Sequence, residues 1–126
     1  MTQHIAMLIE ASSIQDYIFG SNELVQNIGA SELAAQATTD WLFEEKSGLL
    51  PKPHNVRRAG AGEAARWQLT DQSLADNLTV EVVYAGGGNA LILFHTEEVA
   101  RKVSYELTRK VLQDAPGLRL ELAWQP

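Results

Sequence analysis

Three consecutive glycines and an asparagine separate two apolar runs in "YAGGGNALILF", residues 84–94. Residues 78–85 alternate as a strand does, and "ALILF" is a second, more uniformly apolar strand. Glycine adopts a positive φ without steric cost and asparagine tolerates it better than most residues, so the pattern predicts a β-hairpin. The glycines also leave backbone N–H groups open to a phosphate or a base. A plain turn and a nucleotide-binding turn both stay open at this point.

The first third of the chain predicts one strand and two helices. Residues 4–10 form a short apolar run that is typical of a buried strand. Either Ser12 or Ser13 can cap a short helix through Phe19, with Gln15 or Asp16 completing a capping box. A second helix is predicted from about residue 31 to residue 42, with a wide apolar stripe. Four aromatic residues have spacings that favour the core: Tyr17, Phe19, Trp41 and Trp124.

Residues 46–77 are expected to form a long loop, because glycines and prolines break every regular pattern there. The loop contains Arg57, Arg58 and Arg66. These arginines could hold phosphates, or they could form a solvated surface.

The C-terminal third predicts a helix and a strand. Thr96 can cap the helix, whose apolar stripe repeats every four residues, and "APG" at 115–117 ends it. Its basic residues Lys102, Arg109 and Lys110 are expected on the solvated face. Residues 118–124, "LRLELAW", alternate strictly, so Leu118, Leu120, Leu122 and Trp124 share one face of a strand.

The order of elements is strand, helix, strand, strand, helix, strand. Two such strand-helix-strand units with right-handed crossovers predict an α+β ferredoxin-like fold, βαββαβ, with a four-stranded antiparallel sheet and both helices on one face. We expect a single domain over residues 1–126, with the first strand beside the strand that leads into the glycine turn. Glu10, Ser12 and Ser13 would then lie near that turn.

Composition excludes several classes of function. The net charge is −6, which disfavours extended binding of nucleic acid. Cysteine is absent, and the histidines are too far apart for a short-spaced zinc motif. The sequence has neither a signal-peptide pattern nor an apolar run long enough for a membrane span, so we expect a cytoplasmic protein without a membrane partner.

Two sequence blocks resemble a known family. "IEASSIQDYIFGSNELVQNIGASELAAQAT" resembles the start of a palm domain in the large polymerase/cyclase-like subunit of type III CRISPR effector complexes. "YAGGGN" followed by an apolar strand is similar to the hairpin of that domain. The two blocks occur in the family's order and cover about half of the chain. Residues 46–77 carry none of the resemblance.

The resemblance implies a palm fold shared with GGDEF-type nucleotidyl cyclases, and a role in antiviral defence. In that family paired palm domains bind ATP at their interface, and the catalytic palm carries a GGDD hairpin whose acids hold divalent ions. Gly88 and Asn89 stand where those acids would be, so the chain resembles the non-catalytic palm. Mg²⁺ prefers oxygen ligands and usually binds one or two carboxylates, and only Glu10 is predicted nearby.

We therefore expect a nucleotide-binding palm that uses Ser12, Ser13, Gly86, Gly87, Gly88 and Asn89, with Glu10 as a weak ligand for Mg²⁺ carried by ATP. Its expected partner is another palm domain, either in a longer chain of which this is the N-terminal part or in a homodimer. Two alternatives remain: an active cyclase or polymerase that uses Glu10 and a borrowed acid, and an interaction module that has lost nucleotide binding.

Overall fold

The computed structural model describes residues 4–13, 34–44, 48–59, 66–115 and 118–126. Its elements in chain order are β1 (Ile5–Ser13), α1 (Asp40–Phe43), β2 (Val56–Ala59), β3 (Arg66–Leu69), a 3₁₀ turn (Leu74–Asp76), β4 (Val80–Gly86), β5 (Asn89–Phe94), α2 (Glu97–Asp114) and β6 (Leu118–Gln125). The domain is α+β, with an antiparallel sheet in the order β4-β5-β1-β6 and a separate hairpin of β2 and β3.

One face of the four-stranded sheet carries the core. Alternate residues of β1, Ile5, Met7 and Ile9, are buried with Ile92 and Phe94 of β5. The buried stripe of α2 covers them with Ala100, Val103 and Leu107, and its last buried residue, Val111, packs in a second cluster with Ala11 and Leu118. We call this the inner face and the opposite side the outer face. Leu8, Glu10 and Ser12 alternate with the core residues, so they lie on the outer face.

The C-terminal helix and strand confirm the predictions from periodicity. Thr96 caps α2 by accepting a hydrogen bond from the Val99 amide at 3.3 Å, and Lys102 and Arg109 are exposed. Lys110 is only partly solvated, because it stacks 5.1 Å from the centre of the Trp41 ring. The prediction that Trp124 is a core residue is wrong, since it is 39% exposed. It lies at the far end of β6, where Arg101 stacks on its ring.

Two predictions about the first half of the chain need correction, and a third lies outside the described residues. Ser12 lies inside β1, paired with Arg119, so it does not cap a helix. Ser13 is the last residue of β1, and the short helix with Tyr17 and Phe19 falls outside the described residues. The predicted helix from about residue 31 is broken near Thr38 and Thr39. Their hydroxyls donate to backbone carbonyls one turn back, which competes with regular helix geometry.

The remaining corrections concern the sheet and the expected loop. β1 pairs with β5, the strand that leaves the glycine turn, rather than with the strand that enters it. Residues 46–77 contain the β2–β3 hairpin as well as loop. Trp67 of that hairpin packs edge-on against Phe43 and donates to Asp40 at 2.6 Å. These contacts attach the hairpin to α1.

The segment before β2 covers the edge of β4 that faces away from β5. Pro53 O accepts hydrogen bonds from the amides of Thr79 and Val80. The buried Asn55 side chain acts like a short strand, because its amide donates to Val82 O at 2.9 Å and its oxygen accepts from Val82 N at 2.6 Å. The amides of Thr79 and Val80 and both backbone groups of Val82 are therefore satisfied in the way that a neighbouring strand would satisfy them.

His54 makes the stability of this segment depend on pH. Burial, and secondly the charge of Lys52, lower the pKa of His54 from its ordinary value of 6.5, and its Nδ1 accepts from Val56 N at 3.2 Å. Because the neutral ring is favoured in the folded state, the stabilisation is complete above about pH 6.5 and is lost as the pH falls through the lowered pKa. We expect wild type to lose more stability than His54→Asn between pH 8 and pH 5 in urea denaturation, since asparagine keeps an acceptor but does not titrate. Equal losses would contradict this.

Candidate functional site

The glycine turn is a two-residue hairpin connection between β4 and β5. Gly86 pairs with Asn89, and Gly87 and Gly88 form the turn. Their φ values are 63° and 93°, and positive φ at both central positions is what a type I′ turn requires. The hairpin prediction is confirmed.

Gly88 fixes the turn against the end of β1. The Ala11 amide donates to Gly88 O at 2.7 Å. A Cβ built on Gly88 would lie 2.7 Å from Ala11 O, which is a backbone atom. Position 88 therefore has no room for a side chain while the turn stays where it is.

Gly86 and Gly87 have a different environment. Both are exposed, and a Cβ on either would meet no atom within 4 Å. The outer part of the turn is therefore open for a ligand to approach the backbone, while its inner part is packed against β1.

The end of β1 brings two predicted site residues to the turn. Glu10 pairs directly with Asn89 of β5, and both side chains are exposed on the outer face. Ser12 is exposed on the same face, two residues further along β1. The register places Glu10 beside Asn89 and puts Ser12 on the same face, while their use as a binding site stays a prediction.

β6 adds two charged residues that the sequence analysis did not assign to the site. Glu121 pairs with Glu10, and Arg119 pairs with Ser12. Arg119 Nε lies 3.3 Å from Glu121 Oε1, with both side chains largely exposed. The strict alternation of "LRLELAW" contained this signal, because it puts both charges on the face opposite the leucines.

Two carboxylates and an amide lie side by side at the end of β1. Among the residues that the structure describes, no three His, Cys, Asp or Glu side chains come together as a metal cluster. Glu10 and Glu121 are directly opposite each other, with the Asn89 amide on the other side of Glu10. Mg²⁺ often binds through one or two carboxylates and the oxygens of a phosphate. These residues therefore fit an ion carried by a triphosphate, and a two-metal centre would need more acids.

The arginines of the expected loop do not act as a pair. Arg57 and Arg58 are consecutive residues of β2, so they point to opposite sides of the strand. Arg57 bonds to Gln68 and Arg58 stacks on Trp67. A joint phosphate clamp of these two residues has no support in this geometry.

Within the described ranges, no helix is both long and apolar enough to cross a membrane. The sequence matches no model of a known protein family. It also matches no curated protein.

Proposed function

We propose that the chain is a palm domain of the ferredoxin-like βαββαβ type that binds an ATP-like nucleotide and does not catalyse on its own. The strand order β4-β5-β1-β6 supports this fold, because two β-α-β units with right-handed crossovers give that order. The resemblance to type III CRISPR palm domains suggests the biological setting, a cytoplasmic antiviral complex in which the nucleotide lies between two palms.

The observation that carries the proposal is the environment of the glycine turn. Gly88 is packed against β1 without space for a side chain, while Gly86 and Gly87 face open space beside the exposed Glu10, Ser12 and Asn89. A packed inner half makes the turn rigid, and an open outer half lets phosphate oxygens reach backbone N–H groups. A turn of this kind can bind an anion without rearranging.

The residues around the turn have distinct roles in this proposal. The backbone of residues 86–89 and the hydroxyl of Ser12 bind phosphate oxygens. Glu10, with the Asn89 carbonyl, holds a Mg²⁺ ion that the triphosphate brings, and this ion neutralises phosphate charge. Arg119 lies beside Ser12 in the sheet and adds the positive charge that an acidic chain otherwise lacks here.

Calorimetric titration of ATP with Mg²⁺ into the 126-residue chain tests the proposal. We expect saturable binding, weakened at least about tenfold by Gly87→Asn, which equals about 1.4 kcal/mol. Asparagine tolerates a positive φ, so the turn keeps its shape while a side chain blocks the approach. The control is Gln113→Ala, an exposed change on α2 that should leave binding unchanged.

A second measurement distinguishes the alternatives. Amide chemical shifts of residues 86–89 should move on adding ATP. Absence of both heat and shifts would contradict the proposal and favour an interaction module. Labelled ATP with Mn²⁺ should give no product, because Gly88 and Asn89 stand where a GGDD hairpin has its two acids. Product formation abolished by Glu10→Ala would instead favour an active cyclase.

A further inference from the structure

The two edges of the four-stranded sheet differ in whether another segment of the chain covers them. The edge of β4 is covered by Pro53 and by the Asn55 side chain. β6 forms the other edge. In the part of the chain that the structure describes, no segment pairs with the edge of β6 that faces away from β1. Proteins usually protect such edges with prolines, bulges or very short strands. β6 is eight residues long and pairs with β1 without a bulge or a proline.

The sequence of β6 is complementary to itself when it runs antiparallel. Residues opposite each other in an antiparallel pair share a face, so symmetric pairings are centred on one residue. Centring on Leu120 puts Arg119 opposite Glu121 of the second copy, and by symmetry this ion pair forms twice. It also puts Leu118 opposite Leu122 of the second copy, which continues the apolar inner face.

Neighbouring registers are less favourable. Centring on Arg119 or on Glu121 sets two like charges directly opposite each other, which destabilises a sheet. Centring on Leu122 puts Glu121 opposite Ala123 of the second copy and so makes no ion pair. Only the register centred on Leu120 pairs both charges.

The environment of Glu121 supports the same register. On its β1 side Glu121 faces Glu10, a like charge directly opposite. Its own Arg119 lies on the same strand, 3.3 Å away. In the paired arrangement a second arginine arrives on the open side of Glu121. The repulsion between Glu10 and Glu121 is then offset from the side where none of the described strands of the single chain pairs with β6.

We infer that two copies of the chain join through the edge of β6 that faces away from β1. The two β6 strands run antiparallel, centred on Leu120, and form one eight-stranded sheet. The inference goes beyond the proposed function, because it needs only the edge of β6 and no nucleotide.

The pairing would also extend the candidate site across the junction. A row on the outer face would run from Asn89 through Glu10 and Glu121 to Arg119 and Ser12 of the second copy. Adjacent strands are about 4.8 Å apart, so Arg119 of the second copy lies about 10 Å from Glu10 along this row. Each copy then contributes a cation close to the other copy's carboxylates.

Sedimentation velocity of the 126-residue chain without nucleotide tests the pairing. We expect wild type to dimerise reversibly. Arg119→Glu and Glu121→Arg should each weaken the dimer about tenfold or more, because each replaces two attractions with two repulsions. Arg109→Glu has the same change in net charge as Arg119→Glu but lies on α2, and it should dimerise as wild type does. Circular dichroism checks that every variant folds.

The decisive step mixes the two weakened variants in equal amounts. In the mixed dimer both charge pairs are restored, so Arg119→Glu and Glu121→Arg should bind each other more tightly than either binds itself. A monomeric wild type, single variants that dimerise as wild type does, or a mixture without preferential pairing would each overturn the inference. Because sedimentation is measured without nucleotide, a failure of the pairing is distinguishable from a failure of ATP binding.

Discussion

Replacing Gly88 with alanine should lower the free energy of unfolding by about 3 kcal/mol or more. The left-handed backbone alone costs an L-residue roughly 1–2 kcal/mol, and Gly88 has a φ of 93°. The new Cβ would also lie 2.7 Å from Ala11 O. Relief of that contact requires the turn to separate from β1, which also breaks the hydrogen bond from Ala11 N to Gly88 O.

Gly87→Ala is the matched control for this prediction. Gly87 also has a positive φ, 63°, but its Cβ would meet nothing within 4 Å. Gly87→Ala should lower the free energy of unfolding only by the cost of the left-handed backbone, roughly 1–2 kcal/mol. Urea denaturation of both variants measures the difference. Equal losses would mean that the contact with β1 has no energetic role.

The same geometry explains why an acid is unsuited to position 88 in this chain. An aspartate there would place its Cβ at the same point as alanine, against the same carbonyl. A GGDD-like hairpin would therefore require acids at positions 88 and 89, and the turn would also have to pack differently against β1. The absence of a side chain at position 88 therefore follows from the packing of the turn against β1.

Asn55→Leu should destabilise the protein by about 3 kcal/mol. Leucine has a similar size but cannot hydrogen-bond, so Val82 N–H and C=O lose their partner at a position where Asn55 is only 3% exposed. An unsatisfied buried polar group costs roughly 1–3 kcal/mol. Two such groups in one place give the expected loss.

Gln68→Leu provides the comparison, because it makes the same kind of change at an exposed amide whose oxygen accepts a hydrogen bond from Arg57. Its effect should stay within about 0.5 kcal/mol. Urea denaturation gives the free energies, and hydrogen exchange of the Val82 amide gives a local readout. A Val82 amide that stays protected in Asn55→Leu would show that another group replaces the asparagine.

The elements that the sequence predicts well are those with a strong local period. The helix after Thr96 and the strand at 118–124 have regular apolar spacing. The glycine turn has a backbone geometry that only a few residue types accept, and the sequence supplies those residue types. In each case the signal and the structure it specifies lie within a few residues. These predictions needed no knowledge of the rest of the chain.

The features that the sequence does not predict depend on distant partners. Asn55 bonds to Val82, 27 residues away, and nothing near Asn55 indicates a strand edge. Contacts of Trp67 with α1 hold the β2–β3 hairpin in place. The short strands carry little sequence periodicity, and nothing near them in the sequence indicates these contacts. The position of β1 beside β5 instead of β4 likewise follows from the topology of the whole sheet.

The candidate site was predicted in part. Glu10, Ser12 and Asn89 share the outer face near the turn as expected, because strand ends in a common register meet there. Arg119 and Glu121 were missed, although their alternation with leucines was visible in the sequence. Assigning them required the pairing of β6 with β1, which brings residues more than 100 positions apart in the chain into register.

The Asn55 side chain also limits the size to which an assembly of this protein can grow. A sheet with two open edges can add subunits at both ends and extend into a filament. Here Pro53 and Asn55 occupy the part of one edge at residues 79–82, and the proposed two-fold contact through β6 uses the other edge of both copies. Growth beyond two subunits would then have to displace these contacts from β4.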